Sequence, residues 1–240
     1  MTTDTRIKMY SAEYRGIQLG GICKGAGMIA PNMATMLCYL TTNARLEKGK
    51  MQKCLREACD ESFNMLSVDG DMSTNDTVLL LSNRTRRCSV EDFKKLLTHV
   101  TSELAKMIAR DGEGATKFLE VEVMGARTKK DATSAVKAVI NSPLVKTAFY
   151  GENPNWGRIV AAIGSKIKVD ETKVDLSFSC GKNTAKLVVG GRLINPEPSR
   201  KILANRNIKV NIDLHAGRHS ATGWSCDLTP EYVNINAGYN

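Results

Sequence analysis

The segment KGAGMIAPNMATML, residues 24–37, contains a threonine that could serve as a nucleophile. A threonine hydroxyl is a weak nucleophile unless a base removes its proton. A cut between Ala34 and Thr35 would give Thr35 a free α-amine, whose ordinary pKa of about 7.7–8.0 suits it to be that base. The small side chain of Ala34 and a tight bend at Pro31 and Asn32 would favour attack of the hydroxyl on the preceding carbonyl. Without further information, a plain strand threonine is the much more frequent explanation of such a residue.

The segment VDGDMSTND resembles the start of a calcium-binding loop but fails as one. Asp69, Asp71 and Ser73 occupy the first three ligand positions, whereas the required glycine and glutamate are replaced by Thr74 and Leu80. Two interpretations remain open: a polar turn in which Asp and Asn side chains cap nearby amides, or a turn that supports a functional site.

Two further segments contain charged residues among turn formers. In DGEGATK, Glu113 lies between two glycines, which allow close backbone approach to a ligand but also fit a helix end followed by a turn. In NPNWGR, Arg158 could bind a carboxylate through two parallel hydrogen bonds, or it could belong to a surface turn with a half-buried Trp156. Phosphate-binding P-loop and dinucleotide-binding glycine motifs are absent from the sequence.

Composition indicates a soluble cytosolic protein. Of 240 residues, 42% are hydrophobic and 25% charged, no apolar run approaches the ~20 residues of a membrane helix, and no targeting segment is visible. Seven cysteines without a CxxC pair, and the absence of HExxH, predict reduced thiols and no metal site. The net charge of +9 suits small anionic substrates, although a solvated basic surface explains it too and nucleic-acid binding is a further alternative.

The order of elements is mixed, with strands and helices interleaved and no internal repeat. The run from Thr35 to Thr41 is nearly continuous in apolar or β-favouring residues, which predicts a strand that Thr35 opens and that is buried on both faces. A soft division near residues 140–157 predicts two domains, residues 1–145 and 146–240. We predict strands over 16–23, 117–124, 166–195 in short pieces and 208–214 with 224–228 beside it, and helices over 47–65, 93–108, 132–141 and 199–205.

Five segments, taken in order, resemble the ornithine acetyltransferase (glutamate N-acetyltransferase) family of arginine biosynthesis over essentially the whole chain. They are KGAGMIAPNMATML, VDGDMSTNDTVLLL, DGEGATK, NPNWGR, and GWSCDL with YVNINA. The resemblance implies a mixed α/β fold of the self-processing N-terminal-nucleophile acyltransferases, with mixed sheets layered with helices. It also implies a cytoplasmic enzyme of two α and two β chains that are made by cleavage between Ala34 and Thr35 and stay together.

In this family, the new terminal threonine takes an acetyl group from N2-acetylornithine as an ester and passes it to glutamate, giving N-acetylglutamate. Some members also use acetyl-CoA as a donor, and no other cofactor is implied. The matching positions imply that Thr2, Lys24, Thr35, Glu113 and Asn236 contact substrate. The charge of Glu113 would suit the ammonium of ornithine or the α-amino group of glutamate.

Two departures from the family pattern predict that this chain needs a partner. Family members carry a substantial segment before the position of Met1, with a Thr-Gly pair that forms the oxyanion hole, and a Ser or Thr just past the final tyrosine. Loss of one oxyanion-hole donor costs on the order of 10²–10³ in rate. We therefore expect a missing N-terminal segment or α chain. The alternative is a truncated, catalytically incompetent remnant or one subunit of a split enzyme. A family branch in secondary metabolism shares the motifs, so they do not fix the acceptor.

Overall fold

Ten strands and seven helices are interleaved along the residues that the structure describes, which confirms the predicted mixed α/β class. The computed structural model describes residues 3–30, 36–73 and 75–238. The described strands are β1 (Lys8–Tyr14), β2 (Ile17–Lys24), β3 (Leu37–Arg45), β4 (Thr77–Arg87), β5 (Phe118–Ala126), β6 (Asp175–Cys180), β7 (Asn183–Val189), β8 (Arg192–Leu193), β9 (Asn207–Asp213) and β10 (His219–Cys226). The described helices are α1 (Lys48–Glu61), α2 (Val90–Arg110), α3 (Lys129–Ile140), α4 (Pro143–Tyr150), α5 (Trp156–Gly164), α6 (Glu197–Leu203) and α7 (Pro230–Ala237).

Backbone contacts divide the chain into two units, Met1–Gly112 and Glu113–Asn240. This division lies earlier than the predicted one after residue 145. The physical reason is the position of β5, which pairs with β9 and β10 inside the second sheet and so belongs to the second unit. The proline- and glycine-rich stretch on which the prediction rested connects short helices within that unit.

The first unit contains a four-stranded sheet of order β1-β2-β3-β4, in which only the β3–β4 pairing is parallel. Helix α2 packs against β1 and β2, and α1 packs against α2. Apolar residues at helical spacing form the buried face of α2. Its start is fixed by Ser89, whose side chain accepts a 3.0 Å hydrogen bond from the Asp92 nitrogen.

Strand β3 is buried on one face only, so the prediction of burial on both faces is wrong. Cys38 and Leu40 are buried, whereas Tyr39 between them is 45% exposed. The exposed face continues across the sheet through cross-strand neighbours, which we call the outer apolar row: Met9, Ile22, Tyr39 and Leu79. A continuous apolar run thus correctly predicts a strand here, but it does not show that this chain covers both faces.

The second unit contains a six-stranded sheet of order β10-β5-β9-β6-β7-β8, with β5 and β9 parallel. Helix α3 packs on β5 and β10. The centre of this sheet contains four completely buried side chains: Val121, Val123, Val210 and Ile212. The prediction that the strand near 224–228 pairs beside 208–214 is wrong, because β10 pairs with β5.

All seven cysteines are free thiols. Burial raises the pKa of Cys23 and of Cys59 to about 12, so these thiols are protonated and unreactive near neutral pH. Of the helices described above, none combines the length and apolar character needed to span a membrane. Within residues 3–30, 36–73 and 75–238, no three His, Cys, Asp or Glu side chains are grouped so that they could bind a metal ion.

Candidate functional site

Three predicted site residues, Thr2, Ala34 and Thr35, lie outside the described residues, and their roles stay predictions. Lys24 is half-buried and ends β2. In the antiparallel ladder it lies opposite Leu37, the first residue of β3. The strands that lead into and out of the predicted cleavage segment are therefore hydrogen-bonded neighbours, which brings Lys24 beside a residue two positions after the predicted nucleophile.

The segment that precedes the predicted cut is held by the loop of residues 68–77, which we call the support loop. The Asp69 carboxylate accepts hydrogen bonds from the backbone nitrogens of Met28 at 2.7 Å and Ile29 at 3.0 Å. The Val68 nitrogen donates to the Ile29 carbonyl at 2.7 Å. Burial raises the pKa of the Asp69 carboxyl, and the donated N–H groups oppose that rise.

The segment that follows the predicted cut is held by the other end of the support loop. The Met36 nitrogen donates to Asp76 Oδ1 at 2.8 Å, and the Thr77 nitrogen donates to the Met36 carbonyl at 3.0 Å. Burial raises the pKa of Asp76, whereas the Met36 N–H and the positive charge of Lys24 act in the opposite direction. Met36 therefore has both backbone polar groups bound by two consecutive residues of this loop.

These contacts confirm that the aspartates of VDGDMSTND cap backbone amides, and the capped amides lie on both sides of the predicted cut, as a turn that supports a site requires. Asp69 lies at one end of the loop and Asp76 near the other, and they bind backbone on opposite sides of residues 31–35. Asp69 directs both oxygens to backbone N–H groups of this unit, which is the role of a structural carboxylate and not of a calcium ligand.

A buried charge cluster fixes the backbone next to Lys24. The Gly25 nitrogen donates to Asp4 at 2.9 Å. Asp4 is paired with Lys8, which is fully buried and also lies 2.5 Å from Asp111. A buried ammonium is stable only with such partners. The cluster thus joins the N-terminal residues, where one substrate contact is predicted, to the end of β2.

In the second unit, the structure brings two predicted substrate contacts together. The side-chain amide of Asn236, in the last turn of α7, donates to Glu113 Oε2 at 2.8 Å. The same amide nitrogen donates to the Tyr232 carbonyl at 3.0 Å. Glu113 is half-buried and Asn236 exposed, so the carboxylate is oriented by its neighbour while part of it faces solvent.

Asp227 fixes the loop that carries Glu113. This buried carboxylate accepts hydrogen bonds at 2.9 Å from the backbone nitrogens of Thr116 and Lys117, and another from the Thr116 hydroxyl. The residue follows β10 directly, in the GWSCDL segment. Sequence reasoning missed this role because the partners lie 110 and 111 positions away along the chain.

The start of α7 is the second point at which these segments meet. The Thr229 hydroxyl caps the helix by accepting from the Tyr232 nitrogen at 3.3 Å, and it donates to the Gly114 carbonyl at 2.7 Å. Gly114 has a φ of +65°, and a β-carbon there would lie 2.5 Å from the Tyr232 nitrogen. Glycine is therefore required in the DGEGATK loop. A threonine before Pro230 is a recognisable helix-start signal that the sequence predictions did not use.

Arg158 makes no carboxylate contact within the described part of the chain. Its guanidinium donates to the Leu144 carbonyl at 2.8 Å, which joins α5 to α4. Asn155 caps α5 by accepting from the Arg158 nitrogen at 3.2 Å. The NPNWGR segment therefore starts a helix, and its arginine has a structural partner.

Comparison with known proteins places these segments in context. The ArgJ family matches residues 1–240. The glutamate N-acetyltransferase of Methanosarcina acetivorans is 46% identical, and the alignment covers all of this chain but 63% of that protein. The arginine biosynthesis bifunctional protein ArgJ 1 of Clostridium acetobutylicum is 43% identical, with 62% of its length covered. This chain thus spans less than two thirds of these curated relatives.

A solved structure is also similar. The crystal structure of arginine biosynthesis bifunctional protein ArgJ from Bacillus halodurans superimposes with a TM-score of 0.78 at 38% sequence identity. The match covers 84% of this chain and 98% of that chain. The fold described above is therefore the fold of that ArgJ chain.

Proposed function

This chain belongs to the ArgJ family, and from that premise we propose that it carries out acetyl transfer from N2-acetylornithine to glutamate after cutting itself between Ala34 and Thr35. The proposal depends on two observations together: the family matches residues 1–240, and the carboxylates of the support loop bind backbone on both sides of the predicted cut. Two positions that the family resemblance assigns to substrate, Glu113 and Asn236, are in contact.

The sheet of the first unit explains how two pieces would stay together after the cut. Strands β1 and β2 precede the cut, and β3 and β4 follow it. The β2–β3 ladder, from Leu19 opposite Thr42 to Lys24 opposite Leu37, joins the pieces by backbone hydrogen bonds.

The proposed reaction has two acyl-transfer steps on one threonine. The Thr35 α-amine takes the hydroxyl proton as Oγ attacks the acetyl carbonyl of N2-acetylornithine. The acetyl C–N bond breaks, the proton passes to the leaving nitrogen, and ornithine departs. Glutamate then attacks the acetyl ester through its neutral amine, the ester C–O bond breaks, and a proton returns to Oγ. Acetyl-CoA could replace acetylornithine as the donor by the same chemistry, with a thiol as the leaving group.

Charge explains the proposed substrate contacts. The carboxylate of Glu113 suits an ammonium on the substrate, and the ammonium of Lys24 suits a substrate carboxylate. Asn236 orients Glu113 through the 2.8 Å hydrogen bond. Thr2 completes the proposed set by resemblance alone. The free thiols suit a reducing compartment, which supports a cytoplasmic location.

We further propose that activity needs polypeptide equivalent to the additional length of the relatives, as an N-terminal segment or a separate α chain, in an assembly of two α and two β chains. The outer apolar row supports this. Its members Met9, Ile22, Tyr39 and Leu79 are 65%, 49%, 45% and 45% exposed on one sheet face. An apolar face of this kind is typical of a surface that another segment covers.

Mass spectrometry of the purified chain tests self-cleavage. We expect a fragment that begins at Thr35, and Thr35→Ala should abolish it while Thr184→Ala, an exposed strand threonine, should not. Incubation with N2-acetylornithine should add one acetyl group to the Thr35 peptide. An intact parent chain in a folded protein that also contains the relatives' N-terminal segment would contradict the proposal.

The alternative, a remnant or one subunit of a split enzyme, is separated by adding that N-terminal segment as its own chain. Acetyl transfer that appears only on addition indicates a split enzyme. Cleavage without any transfer in its presence indicates a remnant.

A further inference from the structure

Among the described residues, three aspartates share one backbone-binding pattern. Each accepts hydrogen bonds of 2.7 to 3.2 Å from two consecutive backbone nitrogens: Asp69 from Met28 and Ile29, Asp111 from Thr5 and Arg6, and Asp227 from Thr116 and Lys117. In Asp69, the two nitrogens are divided between the two oxygens, which shows that the spacing of successive nitrogens fits the width of a carboxylate.

Asp76 shows half of this pattern. Its Oδ1 accepts from the Met36 nitrogen at 2.8 Å. Its Oδ2 is buried and has no hydrogen-bond partner among residues 3–30, 36–73 and 75–238. A buried carboxylate oxygen without a partner is costly, so the position calls for a donor. The nitrogen that precedes that of Met36 along the chain is the nitrogen of Thr35.

Resting on the proposed function, we propose that Asp76 is the partner of the Thr35 α-amine: Oδ1 binds the Met36 amide, and Oδ2 accepts a hydrogen bond from the amine that cleavage creates. Asp76 would orient this base toward its own hydroxyl. It would also stabilise the ammonium that forms when the amine takes the hydroxyl proton, as a carboxylate does for the histidine of a serine protease.

The charges around Asp76 determine in which direction its carboxylate shifts the pKa of the Thr35 amine. Lys24, from β2, is the positive charge that acts on this carboxyl and helps to keep it ionised. Lys8, Asp4 and Asp111, also near that end of β2, are paired with one another. An ionised carboxylate within hydrogen-bond distance of an amine favours the ammonium form and raises the pKa of the amine. Removing the carboxylate charge should therefore lower that pKa.

Competitive labelling of the cleaved protein with acetic anhydride across pH 5–10 measures the pKa of the Thr35 α-amine on its own peptide and needs no acetyl transfer. We expect Asp76→Asn to lower the midpoint of the labelling curve by about one pH unit, since an opposite charge within hydrogen-bond distance shifts a pKa by roughly one to three units. Asparagine keeps an oxygen for the Met36 amide. Asp76→Glu keeps the charge and should leave the midpoint above that of the asparagine variant.

Asp69→Asn is the matched control, because it makes the same change in the same loop on the far side of the cut. We expect it to leave the midpoint unchanged. If a variant does not cut itself, residues 1–34 and residues 35–240 are co-expressed as two chains. The second chain carries a leader before Thr35, and an added protease removes that leader, so that the pKa of the Thr35 amine can still be measured. Thermal unfolding of each variant confirms that it is folded.

Equal midpoints in the parent and Asp76→Asn proteins would overturn the inference and leave the proposed function intact. An equal decrease of the midpoint in the Asp69→Asn protein would also overturn the inference, because the change would then come from loosening of the support loop. The proposed function fails separately, if Thr35→Ala retains acetyl transfer.

Discussion

At the scale of single residues, the structure separates carboxylates that bind backbone from Glu113, which a side-chain amide orients. Asp69 and Asp227 have both oxygens engaged by N–H and O–H donors of the protein. Glu113 receives an amide hydrogen bond from Asn236 on one oxygen and is half-buried on a loop. An oriented carboxylate of this kind can bind an ammonium without first being ordered.

Glu113→Gln should lower kcat/KM for acetyl transfer by roughly 10- to 100-fold, because a hydrogen bond to a charged group contributes about 1.5–3 kcal/mol. Glutamine still accepts from Asn236, so cleavage at Thr35 and thermal stability should not change. The effect should fall mainly on KM. Steady-state kinetics of the chain assembled with the N-terminal segment measures it, with Glu171→Gln, a glutamate at an exposed turn, as control. Equal kinetics for both variants would remove Glu113 from the substrate contacts.

The candidate site could be predicted from the sequence only as a set of segments. Glu113 and Asn236 followed from the family resemblance, but their contact joins positions 123 residues apart, and no local pattern records such a pairing. Asp227 sits in a recognised segment and was still missed, because its role is to bind backbone of another loop. The support loop was recognised as a turn, and its partners became visible only in the fold.

At the scale of elements, two adjacent glycines of β2 face opposite sides of the sheet and differ in the space around them. A β-carbon on Gly21 would lie 2.5 Å from a Leu40 methyl and 2.8 Å from a Leu104 methyl. One on Gly20 would lie 3.6 Å from the Ser11 β-carbon, an ordinary contact. The narrow space at Gly21 lets α2 pack closely on the centre of the sheet.

Gly21→Ala should destabilise the first unit by about 1–3 kcal/mol, since extra volume in a packed core displaces its neighbours. Gly20→Ala should have little effect. Chemical denaturation of each variant, followed with the same spectroscopic probe, measures the difference in the free energy of unfolding. If both variants unfold at the same denaturant concentration, β2 and α2 are not packed as closely as described.

Local sequence patterns were sufficient to predict those helices and strands that have one buried face and one solvent-facing face. The spacing of apolar residues predicted α2, and strict alternation predicted β5, because each has one wet and one buried face. The same reasoning was wrong about the burial of β3 and about the partner of β10, since strand order and sheet coverage depend on distant segments.

At the scale of the whole molecule, the outer apolar row is the feature most in need of a partner. Tyr39 lies between Ile22 and Leu79 in the row, so a polar residue there would interrupt it. We propose as the occupant the N-terminal segment that the family resemblance implies, and the greater length of the relatives, by more than a third of their own length, is consistent with such a segment.

Tyr39→Ser should weaken binding of the N-terminal segment of the Methanosarcina acetivorans protein by at least tenfold in Kd, because a large apolar contact is removed. Val233→Ser removes an exposed apolar side chain from α7 and should not change Kd. Titration calorimetry of the two purified chains measures both. Equal affinities for the two variants would place the segment elsewhere.

If the chain cuts itself as proposed, the sheet shared by the two pieces has a consequence for how the processed protein recovers from denaturation. Before the cut, β2 meets β3 as part of one chain, and assembly is a first-order event. Afterwards the tether is gone, and the same ladder must form by collision of two molecules, so recovery becomes concentration-dependent. Folding of the uncut chain is then first-order, whereas refolding of the cut protein to the same structure is second-order.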